Sequence, residues 1–394
     1  MKSCLPLVLA AALAGCATAA PSAPLAAAPP SSAAIEAEVA RAMAATGVQG
    51  LAVAVIDDGR VVHVSSHGRR NAAGEPLTTD TIMYGASLTK AAFAYMVMQL
   101  VEEGVIDLDT PIERYLQKPL PEYTEPEVED LYARYSDLAG DERWRRLTPR
   151  MLLTHATGFA NFGFMEPDGK LRFHFEPGSR YAYSGDGIIL LQFVLERGLG
   201  LDVGREMQRR VFDPLGMTRT SLKWRDDFAG NLADGWTLEG KTEPHDARSS
   251  VRAAGSMDTT IADMARLVAG HIRGDRLSAA SWREMVRPQL PVTTRSQFPT
   301  LQPELPAAER RPDLQAALGL MTFSGPQGPA FIRGGHNDST GNVWVCVQRA
   351  RRCVVLLSND VRAEAAYPHL VRFVLGETGA PWDWMYPGMR FWEG

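Results

Sequence analysis

The chain has 394 residues, of which 45% are hydrophobic and 22% charged, with a formal net charge of -5 and a pI near 6.0. That length exceeds what one compact core holds, so two lobes or one domain with a sizeable insertion is expected. The mild acidity and the lack of a basic run interleaved with aromatics argue against a nucleic-acid partner, and beyond the N-terminus nothing approaches the roughly 20 apolar residues of a membrane span.

The first residues read as an address. Lys2 supplies a positive charge, Leu5 to Leu13 a short apolar core, and Leu13-Ala14-Gly15-Cys16 closes it. Small residues before a cysteine resemble the bacterial lipobox, in which Cys16 would be lipidated and become the first mature residue. A signal peptide cut nearby is the alternative, and both place the mature protein outside the cytoplasm. Residues 17–33, rich in Ala, Pro and Ser, read as a flexible tether.

Ser32 to Thr46 has Ile35, Val39 and Met43 on one stripe and ends at Gly47, the pattern of an amphipathic helix. Leu51 to Ile56 and Val61 to Val64 flank Asp57-Asp58-Gly59-Arg60, a hairpin signal. Gly85 to Glu103 is the centre of the chain: after Lys90 it carries no charge, Gly or Pro through Val101, which predicts a helix buried on every side. Its first turn holds Ser87 and Lys90 on one face. A lysine entering a buried helix is costly without a task, and an ammonium beside a hydroxyl can pass that hydroxyl's proton onward.

Pro119 to Arg146, charged and carrying Tyr123, Tyr132, Tyr135 and Trp144, reads as a partly helical surface insertion. Leu147 to Thr154 leads to His155, expected to order a turn by hydrogen bonding. Asn161 to Pro177, rich in Phe and Gly, reads as a covering loop. Ile188 to Leu195, Val211 to Thr220 and Gly255 to Gly270 read as helices, and Pro288 to Pro312 as irregular. Four apolar runs then suggest strands: Leu318 to Phe323, Ala330 to Arg333, Val343 to Gln348 and Cys353 to Leu357. A turn at Arg349-Ala350 would set Cys346 and Cys353 opposite each other, as a disulfide or as two buried thiols. Arg362 to Leu375 is an amphipathic helix, and the aromatic tail 381–394 is expected to pack on the body. The fold class is α+β: an antiparallel sheet from both chain ends, flanked by helices, with a mainly helical lobe inserted at about 116–290 of a domain spanning 34–380.

Four segments in this order carry a resemblance: Ser87-Leu88-Thr89-Lys90, His155-Ala156-Thr157-Gly158, Pro177 through Gly185 and Pro214-Leu215-Gly216-Met217. Together they resemble the serine beta-lactamase and penicillin-binding-protein superfamily, in its class C-like branch of esterases and D-alanyl peptidases, from about Ser32 to Leu375. The resemblance implies Ser87 as acylated nucleophile, Lys90 as its proton partner and Tyr183 as general base, with Tyr181 the competing phenol. A third motif falls at Arg333-Gly334-Gly335 or, in a second register, at His336. In the first, Arg333 would grip a substrate carboxylate, and the N–H groups of Ser87 and His336 would form the oxyanion hole. Gly185 departs from the usual Asn, which places beta-lactam hydrolysis in doubt more than acyl transfer. The implied partner is a small acyl substrate, with no cofactor and no metal. A catalytically idle binding lipoprotein is the reading from another class.

Overall fold

The computed structural model describes residues 28–394; the leader, Cys16 and residues 17–27 of the tether lie outside the described residues. Eight strands form one antiparallel sheet: β1 (Gly50–Asp57), β2 (Arg60–Gly68), β3 (Leu290–Pro291), β4 (Gln315–Ala316), β5 (Met321–Gly325), β6 (Gly328–His336), β7 (Gly341–Val347) and β8 (Arg352–Ser358). Their spatial order is β2-β1-β8-β7-β6-β5-β4-β3. The first hairpin closes through Asp58 (φ 48°) and Gly59 (φ 73°), the paired left-handed turn whose twist suits adjacent strands. On its other edge β1 pairs with β8, with Val55 opposite Val354, so the two chain ends complete one sheet.

Both faces of that sheet are covered, which is why its central strands read as continuous apolar runs. Leu51, Val53, Val55, Val354 and Leu356 face the helices Ser32–Thr46 and Tyr367–Leu375. Ala52, Ala54, Val355 and Leu357 face the helical side, where Thr89–Glu102 and Ile261–Arg273 pack. Thr89 through Leu100 are all buried, as the charge-free pattern predicts. Ser31 accepts from the Ala34 N–H and Gly47 turns left-handed, fixing both ends of the first helix. Cys346 lies opposite Cys353 and is bonded to it, across a turn in which the Arg351 N–H donates to the Gln348 carbonyl.

Several expectations need correction. The aromatics of Pro119 to Arg146 are not surface groups: Tyr123, Tyr132 and Tyr135 surround the Phe193 ring at 4.8–5.2 Å between centroids, and Trp144 is buried. Helical turns end at Phe212, short of the expected 211–220 helix, because Pro214 follows and Gly216 (φ 70°) reverses the chain. Leu318 to Phe323 is broken by Gly319, whose φ of 75° makes the turn from β4 to β5. The helix Ala279–Val286 went unread. The aromatic tail, in contrast, packs on the body as expected: Trp384, Met385 and Tyr386 are buried in the same core as β6 and β7. No helix among the described residues is long and apolar enough to cross a membrane.

Candidate active site

A cleft of about 1300 Å³ opens between β6, the helix that follows Ser87 and the segments carrying Asn161, Tyr183 and Ala254, and Ser87, Lys90, Tyr183 and His336 all line it. Ser87 sits in a tight helical turn, Ala86–Leu88, just ahead of the long helix. Ala86 holds φ at 47°, a strained value for a residue with a Cβ. The strain is held in place from both sides, since Thr89 Oγ1 donates to the Ala86 carbonyl at 2.6 Å and accepts from the Met257 N–H at 3.1 Å.

Lys90 is 1% exposed and spends its ammonium on two oxygens, donating to Ser87 Oγ at 2.9 Å and to the Ala254 carbonyl. The Tyr183 oxygen is 2.8 Å from Ser87 Oγ, in hydrogen-bond contact. Tyr183 precedes Ser184, the cap of the helix Gly185–Phe193, whose Oγ accepts from the Gly187 N–H and donates to the Ala160 carbonyl. His155 fixes that corner as expected: its Nδ1 accepts from the Ser184 N–H at 3.1 Å and its ring lies 4.5 Å from that of Tyr183. Burial, then the charges of Arg333 and Lys90, hold His155 well below its ordinary value, so the ring is neutral. Tyr181 is buried, with its ring 5.8 Å from that of Trp384 and its oxygen unpartnered. Burial raises its phenol, opposite to what a base needs.

The third motif differs from the expected carboxylate grip. Side chains alternate along a strand, so Arg333 and Gly335 share the Phe331 face of β6, toward the nucleophile helix, and His336 shares the other. Arg333 is 3% exposed and does not line the cleft. Its Nε donates to the Ser87 carbonyl at 3.0 Å and its Nη2 to the Tyr183 oxygen at 3.1 Å. The fork is spent on the machinery itself. Burial pushes the Tyr183 phenol up, and Lys90 and Arg333 more than offset it, bringing the phenol down to about 7. Burial, reinforced by Arg333, also lowers Lys90.

Gly335 brings β6 against the Ser87 turn: a Cβ there would lie 2.9 Å from the Ser87 nitrogen and 2.7 Å from that of Leu88. The pairing of β6 with β5 stops at Ile332, so Arg333 to His336 have no strand on that edge. His336 is 40% exposed, and its Nδ1 meets Glu364 Oε1 at 3.0 Å. Burial would lower this imidazole, but Glu364, with Tyr183 and Asp338, raises it above 6.5. Nothing in the sequence pattern marked Glu364. Among the described residues no cluster of three or more His, Cys, Asp or Glu is placed to hold a metal.

The beta-lactamase family profile matches residues 35–375. The chain belongs to the beta-lactamase family. A human beta-lactamase-like protein is 30% identical over 248 residues, covering 59% of this chain and 48% of that protein. The lovastatin esterase of Penicillium rubens is 29% identical over 215 residues, covering 48% of this chain and 52% of that one. The chain thus spans about half the length of these curated relatives. A D-alanine carboxypeptidase AmpC from Burkholderia cenocepacia shares the fold with a TM-score of 0.66 at 19% identity, over 87% of this chain and 97% of that one.

Within this beta-lactamase-family chain, position 185 is the clearest departure. A Cβ on Gly185 would fall 2.3 Å from two carbons of the Phe162 ring. The space a side chain at 185 would use is filled by an aromatic face, and Phe162 would have to swing aside to admit one. Asp186 does not supply the missing polar group either, because its carboxylate accepts from the Gly163 N–H at 2.6 Å and is buried away from the cleft.

Proposed function

We propose that this chain is a serine hydrolase that works through an acyl-enzyme on a small ester or amide, anchored by a lipid on Cys16 in the cell envelope and facing the periplasm. The observation that carries the reading is the simultaneous contact of Ser87 Oγ with Lys90 Nζ and the Tyr183 oxygen. A phenol brought from 10.0 to about 7 is partly phenolate at neutral pH. In that form it takes the Ser87 proton as Oγ bonds to the carbonyl carbon, while Lys90 keeps the oxygen pair in register. The carbonyl oxygen becomes an oxyanion, which the N–H groups of Ser87 and His336 would receive. Its collapse expels the leaving group, which takes the proton from Tyr183. Water then gives a proton to Tyr183 as it attacks the acyl carbon, and when that intermediate collapses the Ser87 Oγ–acyl bond breaks and Oγ takes the proton back from Tyr183, releasing the acid.

An esterase is favoured over a beta-lactamase or D-alanyl-D-alanine carboxypeptidase by Phe162, which replaces an amide donor with a ring. The carboxypeptidase reading has in its favour the fold shared with the Burkholderia enzyme. The anchor rests on Lys2, the Leu5 to Leu13 core and Cys16, and the Cys346–Cys353 bond suits an oxidising compartment. Fluorophosphonate and penicillin probes, followed by mass spectrometry, test the enzyme. A single adduct on Ser87 that vanishes in Ser87→Ala supports it, and no adduct from either probe favours an idle binding protein. Short-chain esters against a chromogenic cephalosporin then separate the two enzyme readings.

A further inference from the structure

Six large apolar side chains are exposed among the described residues; two of them, Met165 and Leu238, line this cleft, and a third, Phe164, stacks on Phe162, which lines it too. Phe164 (76% exposed) stacks on the Phe162 ring at 5.1 Å and 14°, and Met165 (63%) lines the same wall. Leu238 (64%) lines it from the loop between Trp236 and Thr242. Scattered exposed apolar groups need no explanation, but a cluster continuous with a catalytic cleft does. The wall continues inward through Phe162, whose ring lies against Gly185, next to Ser184 and Tyr183. Phe298 stands over the reacting group from the other side, its ring 5.4 Å from that of Tyr183.

The Phe162 loop is also held in a fixed place. Asn161 Oδ1 accepts from the Gly185 N–H, the Asn161 carbonyl from the Asp186 N–H, and the Asp186 carboxylate from the Gly163 N–H. An aromatic lip tied by three bonds to the helix behind the general base is a preformed surface.

From this wall, and resting on the acyl-enzyme reading above, we propose that the cleft selects substrates with a bulky apolar acyl group, which lies along Phe162, Phe164, Met165 and Leu238 while its carbonyl meets Ser87. The acyl chain covers apolar surface that is otherwise left to water, so each buried methylene favours binding and acylation by up to about fourfold. A short acetyl group reaches none of the outer three.

The test is a series of p-nitrophenyl esters from acetyl to octanoyl, read as kcat/KM for the full mature protein. The ratio of octanoyl to acetyl is expected to be at least tenfold in the wild type. In Phe164→Ser/Met165→Ser/Leu238→Ser it is expected to fall by about tenfold or more, and the single Leu238→Ser to lie between. Flat or acetyl-preferring kinetics in the wild type, or an unchanged ratio in the triple variant, overturns the proposal. So does loss of sedimentation with anionic phospholipid vesicles in the triple variant with no change in the ratio, which would make the patch a membrane-facing surface. Fluorophosphonate labelling of Ser87 is followed in parallel. Labelling with no length preference sinks the acyl wall alone, and absence of labelling sinks the hydrolase reading beneath it.

Discussion

Replacing Arg333 by Gln should move the pH at which the enzyme becomes active. Taking the Tyr183 phenol from 10.0 to about 7 requires about 4 kcal/mol of preference for the phenolate. At 3.1 Å from the Tyr183 oxygen, one guanidinium supplies about 5 kcal/mol at an effective dielectric near 20. Glutamine puts its amide nitrogen near the place of Nε, so a donor to the Ser87 carbonyl is kept, while the charge and the Nη2 bond to Tyr183 are both removed. With Lys90 alone opposing burial, the phenol should return to about 10, an upward displacement of roughly three decades in proton activity. The catalytic base must be deprotonated, so activity rises with pH through its ionisation. The wild-type kcat/KM for p-nitrophenyl acetate should climb with a midpoint near 7, and that of Arg333→Gln near 10. At pH 7 the variant should therefore be slower by about a thousandfold, with the gap closing toward pH 10. Arg333→Lys, which restores a charge, should recover much of the shift. An acid limb that stays near 7 in Arg333→Gln would refute the assignment of Arg333 as the group that tunes the phenol.

Gly335→Ala puts a Cβ 2.7–2.9 Å from three backbone atoms of the nucleophile turn; labelling of Ser87 by a fluorophosphonate should slow by about a hundredfold, with circular dichroism reporting whether the fold survives. Burial raises the Asp186 carboxyl from 3.8 to about 7, against the Gly163 N–H and the Arg252 charge. The native chain therefore keeps a proton that the unfolded chain releases near 3.8, and stability falls as pH rises between those values, by up to about 4 kcal/mol. Asp186→Asn should remove that fall, so urea denaturation should find it more stable than wild type at pH 8 and nearly equal at pH 4. Cys346→Ser/Cys353→Ser opens a loop with a sequence separation of 7, and chain entropy puts the loss at about 2.5 kcal/mol. A urea midpoint identical to wild type would contradict it.

What could be read from the sequence was local or periodic. The choice of Tyr183 over Tyr181 came from the family resemblance, whereas the Asp58-Gly59 turn, the charge-free helix after Lys90 and the hairpin that pairs the cysteines all declare themselves within a few residues. The buried aromatics around Phe193 did not, because tyrosine pattern alone does not distinguish a core ring from a surface one when charges surround it. Arg333 was placed in the right motif but given the wrong neighbour. Counting alternate residues from Phe331 would have turned its side chain toward the helix, yet only the folded distances show that Tyr183 and the Ser87 carbonyl consume its fork. The Phe162 ring over Gly185 and the Glu364 carboxylate behind His336 join segments with no sequence relation, so no spacing rule could reveal them.

The β1 to β8 pairing and the position of Arg333 carry a temporal consequence. Ser87 and the guanidinium that bonds its carbonyl are 246 residues apart, and β8 leaves the ribosome long after the β1 it pairs with. A growing or half-assembled polypeptide holds a serine with ordinary alcohol chemistry, because its phenol is still wet and its second cation has not arrived. Such distant pairing also makes assembly slow. On the proposed acyl-enzyme reading, reactivity is therefore conferred only once these distant segments have met, and a molecule in which they have not is spared capture as a dead-end ester.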